Sequence, residues 1–394
     1  MIPAIVIPAF SRPAALERLL TTLKAAHLPS GATLALVIDR AGDERRRAGN
    51  AAVIELARRF HWPHGPKEVI VQPRPLGLVG NVFHAAGLAE QYGAVILLED
   101  DLVVSTRFYD YACGALAAYG DDPRLAGIAL NALWFNGFTH QPFIPLLDDG
   151  DTFFLQLSTP QGQVYTAAQW TSFKAWSLET EFLRRNSVSA PIHDLFTAFP
   201  TDDWLHTKAL YLADTNRYYV YPRESLTTNF GEPGTHFAGR TALFQVPMQE
   251  RRARFRYQPF DETVAVYDGF FELLPDRLNR LTDSLRGLSY DVDLYATKSA
   301  HHLRADHVLT TRPTRAALAT FAKAMRPLEA NVIANVAGRG IALARREDVH
   351  LGQWATLAAQ YDNDLYFTRR QPSRLRRLPA VLAHRLYRTS FTDR

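Results

Sequence analysis

Ala94-Val95-Ile96-Leu97-Leu98-Glu99-Asp100-Asp101 joins an unbroken apolar run to three consecutive carboxylates. Apolar residues without polar interruption describe a strand covered on both faces, as in a parallel sheet flanked by helices. Ligands of such sheets bind just beyond the carboxyl ends of the strands, so this run puts an acidic cluster where a ligand belongs. Neighbouring negative charges raise each other's pKa unless a cation shares them. Hard oxygen donors suit Mg2+ or Mn2+, ions whose natural partner is a diphosphate. A solvated acidic turn is the plainer reading of the same three residues.

Around this run, strand and helix patterns alternate. Ile2 to Pro8 reads as a strand, Leu16, Leu19, Leu20 and Leu23 recur at helical spacing, and Leu34 to Asp39 reads as a second strand. A helix carrying Val53, Ile54, Leu56, Ala57 and Phe60 leads to a strand at Val69 to Val71, and a helix through Val82 and Leu88 leads to the acidic strand. A helix over Phe108 to Tyr119 and a strand over Leu125 to Leu130 continue the pattern. Repeated βα units predict an α/β fold with a parallel sheet and right-handed crossovers.

Gly137 to Gln163, rich in Pro, Asp, Gly and aromatics, predicts loops and short antiparallel strands suited to an acceptor site. Helices over Phe173 to Arg185 and Trp204 to Ala213 and a strand over Arg217 to Tyr221 follow. Past residue 240 the rhythm is lost, and Arg251, Arg252, Arg254 and Arg256 predict an exposed connector over 241–286. A smaller accessory region over 287–370 contains strand-like and helical pieces at Asp291 to Tyr295, Arg315 to Met325 and Glu329 to Val336.

With 394 residues, the chain is long for one compact domain and predicts a main domain with an appendage. A composition of 47% hydrophobic and 21% charged residues is that of an ordinary globular protein. No apolar stretch approaches the roughly 20 residues that cross a bilayer, and the amino terminus begins a strand without a charged leader, which predicts a cytoplasmic protein. Cys113, the sole cysteine, reads as a core thiol in a helix. A net charge of +4, with basic residues scattered, argues against nucleic acid as a partner.

The first strand runs into Pro8-Ala9-Phe10-Ser11-Arg12-Pro13. Arg12 therefore stands where a strand ends and a helix begins, a place from which it can grip phosphate oxygens, unless it is simply a surface arginine. The second strand ends in Val37-Ile38-Asp39. Asp39 can accept the imide N–H of uracil or thymine, and helix capping is its alternative role.

The chain resembles nucleotide-sugar glycosyltransferases of the GT-A fold, with the opening of family-two enzymes and motifs similar to those of N-acetylglucosaminyltransferase I. The resemblance rests on LLEDDLVVSTRFYDY from Leu97, FPTDDW over Phe199 to Trp204, and PRESLTTNFGEPGTHF over Pro222 to Phe237. It covers roughly residues 1–240. It implies a Rossmann-like, mostly parallel sheet flanked by helices, with a nucleotide half over 1–130, an acceptor half over 131–240 and a smaller C-terminal α/β or helical appendage. It also implies that Asp101 binds Mn2+ or Mg2+ directly, while Glu99 and Asp100 contact donor sugar, ribose or metal-bound water. Arg12, Asp39 and Asn81 match contacts to the diphosphate, base and nucleotide. Asp202 matches the general base and Asp203 is its pair, with helix capping as a rival role for Asp203. Trp170 and Trp204 fall to the acceptor, and His236 falls near the metal or diphosphate, with an ordinary loop histidine as the alternative. Ala168-Gln169-Trp170 departs from the Gly-Trp of related chains, so Gln169 is expected to reshape the sugar pocket.

The expected activity is inverting transfer from a nucleotide-diphosphate sugar, taken as a UDP-sugar, to a hydroxyl of a glycan or lipid-linked glycan. A sugar nucleotidyltransferase is the first rival, although PAFSRP lacks the Gly-rich loop usual after the first strand of those enzymes. A catalytically inactive carbohydrate-binding or scaffold protein is the second. The tail over 371–394 alternates arginines with leucines between Ser373 and Arg388. Such a helix can lie on an anionic membrane surface, or pack on the domain with a solvated arginine face.

Overall fold

The computed structural model describes residues 2–179, 191–198, 204–232, 239 and 241–368. Its first half follows the alternation of the sequence: β1 (Ala4–Ala9), α1 (Pro13–Ala25), β2 (Leu34–Ile38), α2 (Glu44–Arg59), β3 (Lys67–Val71), α3 (Gly77–Gly87), α4 (Ala89–Tyr92) and β4 (Ala94–Leu97). Every residue of β1, β2 and β4 is buried, which is why these strands consist of Val, Ile, Leu, Ala and one Pro. Helix α1 covers one face with Leu16, Leu19, Leu20 and Leu23, the i, i+3, i+4, i+7 stripe of a core-facing helix. Trimming one of these, such as Leu19→Ala, costs about 2–5 kcal/mol.

The chain continues through β5 (Leu102–Val104), α5 (Phe108–Tyr119), β6 (Leu125–Ala129), β7 (Thr152–Leu155), β8 (Gln163–Thr166), α6 (Ala167–Glu179), α7 (Trp204–Asp214), β9 (Tyr218–Pro222), β10 (Thr227–Asn229) and β11 (Val266–Tyr267). Nine strands form one sheet in the order β11-β7-β9-β6-β8-β4-β1-β2-β3. Strands β3, β2, β1 and β4 are mutually parallel, and β8 runs antiparallel to both β4 and β6. The sheet is thus mostly parallel with helices against it, the Rossmann-like α/β class expected. The strands expected between Gly137 and Gln163 are present as β7, antiparallel to β9, and the start of β8.

The segment 241–286 is not the exposed connector anticipated from its arginines. Val266 and Tyr267 pair with Phe154 and Leu155 as β11, the last strand of the large sheet. Arg254 and Arg256 are exposed, while Phe255 and Tyr257 between and beside them turn inward onto Tyr111, with ring centroids 5.2 and 5.9 Å from it. Alternation at the two-residue period of extended backbone separates the two faces. Gly114 in α5 is what lets Tyr257 lie so close, because a Cβ there would meet its ring within 2.6 Å.

A second sheet of four strands has the order β12-β13-β15-β14, from Tyr290–Asp293, His307–Thr310, Ile341–Arg345 and Ala319–Phe321. Arg315 to Met325 therefore holds the short β14. Helix α8 (Gln353–Thr368) follows. One buried cluster runs from Val6 through Tyr165 and Tyr267 to Leu343 and Phe367, so both sheets share a core. Tyr267 donates to Glu329 Oε1 at 3.0 Å, and Gln141 Nε2 donates to the carbonyl of Gln360 at 2.9 Å. Among the described residues no helix is long and apolar enough to cross a membrane.

Candidate functional site

The carboxyl ends of β1, β2 and β4 lie side by side, with Ala9 opposite Ile38 and Val6 opposite Leu97. Residues just past these ends must therefore meet. Arg12 occupies the cap position of α1, where Pro13 begins the helix, and its own side chain makes no cap hydrogen bond. It reaches instead to the end of β4, donating from Nη1 to Asp101 Oδ2 at 2.9 Å and from Nη2 to Asp100 Oδ1.

The charges at this edge do not cancel. Glu99 is pushed up to about 8, by burial first and then by Asp101 and Asp100, with Arg12 opposing. Asp100 is pushed up to about 6 by burial, which outweighs the pull of Arg12. Burial works against the Arg12 charge, but Asp100 and Asp101 overcome it and hold the guanidinium firmly protonated. Two carboxylates share one arginine and Glu99 adds a third acid beside them, which leaves an edge that favours added positive charge.

Asp39 and Asn81 hold the framework of this edge. Asp39 Oδ1 accepts from the backbone N–H of Leu76 at 2.8 Å and of Arg40 at 2.9 Å, and Oδ2 accepts from Gly77 N–H at 2.9 Å. Asp39 thus caps the start of α3, the alternative foreseen for it, and Gly77 supplies the positive φ of that turn. Asn81 Nδ2 donates to the Val37 carbonyl at 3.0 Å, and its Oδ1 accepts from Gln72 at 3.0 Å. Both residues are buried.

The stretch Thr227 to Asn229, within the third motif, reaches the acidic edge. Strand β10 pairs antiparallel with β5, and Asn229 stands opposite Leu102, the residue after Asp101. Beyond it, Arg18 of α1 pairs with Glu232 and lies over the ring of Phe230, 4.5 Å from its centroid. Asn131 Nδ2 donates to the Thr227 carbonyl at 2.9 Å, and Thr227 Oγ1 donates to the Gln161 carbonyl. The side-chain oxygens of Asn131 and Gln161 are buried and have no hydrogen-bond partner among the described residues. Such acceptors are costly to leave bare.

No family model matches the chain. No curated protein matches it either. Among solved structures, S. aureus TarS is similar at a TM-score of 0.34 and 14% identity, over 58% of this chain and 36% of that one. TarS 1-349 in complex with UDP is similar at 0.31 and 14%, over 56% and 60%. UTP-bound UGPase from Acinetobacter baumannii is similar at 0.29 and 13%, over 58% and 88%. The chain thus spans well under two thirds of TarS, and likeness this low carries no inference about chemistry.

Other expected site residues lie elsewhere. Trp170 and Trp204 are buried, 3% and 6% exposed, rather than lining an acceptor cleft. Trp170 packs against Phe83, Tyr165 and Phe173, because α6 turns its aromatic face to the sheet. Gln169 is buried and serves the sheet. It accepts from Thr166 N–H at 3.1 Å and donates to the Leu125 carbonyl at 3.2 Å, bracing β8 against β6. Asp202, Asp203, His236 and the tail over 371–394 fall outside the described residues.

Asn50 and Lys208 are among the buried polar residues that the sequence reading did not single out. Asn50, on the core face of α2 beside Val53 and Leu56, donates to the carbonyls of Phe10 at 2.7 Å and Asp39 at 2.8 Å, tying the ends of β1 and β2 together. A polar residue on an otherwise apolar helical face was its signal. Lys208 of α7 is fully buried, with Nζ 3.6 Å from the Phe173 ring centroid and 4.7 Å from that of Tyr165. Burial, and then Arg217, push its pKa well below the usual lysine range.

The acidic edge fits a hard divalent cation by its donors. Mg2+ and Mn2+ are commonly held by one or two carboxylates, with phosphate and water completing the shell. Asp101 is partly exposed beside the buried Asp100, and Arg12 engages both carboxylates.

Proposed function

We propose that the chain is an inverting glycosyltransferase that moves a sugar from a nucleotide-diphosphate donor, taken as a UDP-sugar, to a hydroxyl of a glycan or glycolipid. The observation that supports this reading most is the meeting of Arg12 with Asp100 and Asp101 at the carboxyl edge of the parallel strands, with β10 laid beside them.

In this reading Arg12 exchanges part of its contact with the acids for diphosphate oxygens, which it can bind in forked geometry. Asp101 would hold Mn2+ or Mg2+, and Glu99 and Asp100 would face sugar, ribose or metal-bound water. Such an ion, when bound, neutralises charge on the departing diphosphate. Asp202, assigned by the resemblance of Phe199 to Trp204 to a catalytic-base segment, takes the proton of the acceptor hydroxyl. That oxygen then forms its bond to the anomeric carbon as the bond to the diphosphate oxygen breaks, and configuration inverts.

Calorimetry with UDP and Mn2+ tests the reading. Metal-dependent UDP binding that Asp101→Ala abolishes is expected, and unchanged affinity in that variant removes the metal role. Incubation with a UDP-sugar should release UDP. Pyrophosphate-dependent chemistry would point to a nucleotidyltransferase, and no turnover of any nucleotide sugar would point to an inactive binding protein.

A further inference from the structure

Away from the acidic edge, Asp194, His301 and His302 bring one donor atom each to within 4.8 Å of one another. They come from two distant stretches. Asp194 opens the short turn Asp194–Ala198, and the histidines close the turn Ala300–His302 between β12 and β13. His301 Nε2 stands 3.8 Å from Asp194 Oδ1.

Ser299 touches both rings. Ser299 Oγ is 2.8 Å from His302 Nδ1 and 3.3 Å from His301 Nδ1. The His302 backbone N–H returns to the Ser299 carbonyl at 2.9 Å, and the His302 ring lies 4.7 Å from that of Phe270. The Ser299 backbone N–H also points at His302 Nδ1 from 3.3 Å, so Nδ1 accepts there. Binding a metal through the other nitrogen moves the ring proton to Nδ1, where Ser299 Oγ can accept it. Metal-ligating histidines are ordinarily oriented by a contact of this kind. The two imidazoles sit 3.8 Å apart by centroid, so two protonated rings would repel.

Two imidazoles and one carboxylate form a borderline donor set, which selects zinc-class ions over Mg2+ or Ca2+. Three protein ligands leave a fourth tetrahedral position for water. Asp194 and His301 are exposed and His302 is half-buried, so an ion can enter from solvent. We propose that Asp194, His301 and His302 bind a single divalent transition-metal ion of the zinc class, which would pin the stretch 191–198 to the smaller sheet. This proposal stands apart from the nucleotide chemistry of Asp101.

The test uses full-length, tag-free, chelator-treated protein carrying Asp101→Ala, so that uptake at the acidic edge does not enter. Titration calorimetry with Zn2+ should show one equivalent bound, with no comparable response to Mg2+. His301→Ala and His302→Ala should each weaken binding at least about tenfold, and Ser299→Ala by about 10–100-fold. An unchanged melting temperature of these variants in EDTA shows that the fold is intact. Absence of Zn2+ uptake by the parent, or undiminished uptake in the double histidine variant, overturns the proposal.

Discussion

Arg12 and Asp101 stand 89 positions apart in the chain, yet Nη1 of one and Oδ2 of the other are 2.9 Å apart. The contact crosses from the start of α1 to the end of β4, and Asp100 shares the same guanidinium. Arg12→Met should remove a phosphate ligand and strand a buried carboxylate together. Loss of measurable UDP binding is expected, along with a destabilisation of about 1–3 kcal/mol in urea titration. Preserved UDP affinity would show that the arginine serves only the acids.

Asp39 offers a test of framework against recognition. Because both its oxygens accept backbone N–H groups at the start of α3, Asp39→Ala should cost about 0.5–2 kcal/mol by chemical denaturation. Asp39→Asn should recover part of that loss. A change in preference between UDP and CDP without loss of stability would restore the base-contact role.

Turnover should depend on Asp202. Asp202→Asn is expected to slow transfer by about 10²–10⁴-fold while UDP binding persists. Near-normal turnover in single-turnover assays would place the base elsewhere.

Lys208 gives the chain a pH dependence of definite sign. Its folded pKa lies below the unfolded value, so the unfolded chain binds the extra proton between those two values and stability rises with pH across that window. Lys208→Met keeps the bulk inside the ring of aromatics and removes an amine without a hydrogen-bond partner among the described residues. The variant should melt higher at about pH 7, and its advantage should shrink toward about pH 9. Thermal scans at both values decide. A variant less stable at each would mean that the rings hold an ammonium by cation–π attraction strongly enough to offset its burial.

The tail bears on where the chain works. Trp354, Leu357 and Tyr361 are exposed at i, i+3, i+7 on α8, before the basic residues that begin at Arg369. Full-length protein should co-sediment with anionic vesicles, and a chain ending at Gln371 should bind less. Equal binding by both excludes a tail contribution.

Legibility in the sequence followed burial. The unbroken runs of β1, β2 and β4 were readable because both faces of those strands are covered, and α5 was readable to its ends from apolar spacing. The meeting of Arg12, Asp39 and the acidic cluster at one edge followed from strand ends alone. Whether Asp39 caps a helix or reads a base did not, since that depends on where the Leu76 and Gly77 amides point. The aromatics of α6 and α7 were equally ambiguous, because Trp170 and Trp204 suit a sugar platform as well as a core. Beyond residue 240 the strands have two to five residues and find partners far along the chain, so no local period announced them.

Strand β11 is two residues long and completes the large sheet beside β7. A ribosome must therefore release the chain past Tyr267 before that sheet acquires its final border, long after the parallel strands have emerged. During that interval β7 offers open amides and carbonyls to any extended neighbour. A chain shortened at residue 240 would keep that exposure permanently, and should accumulate as aggregate rather than as a smaller folded protein.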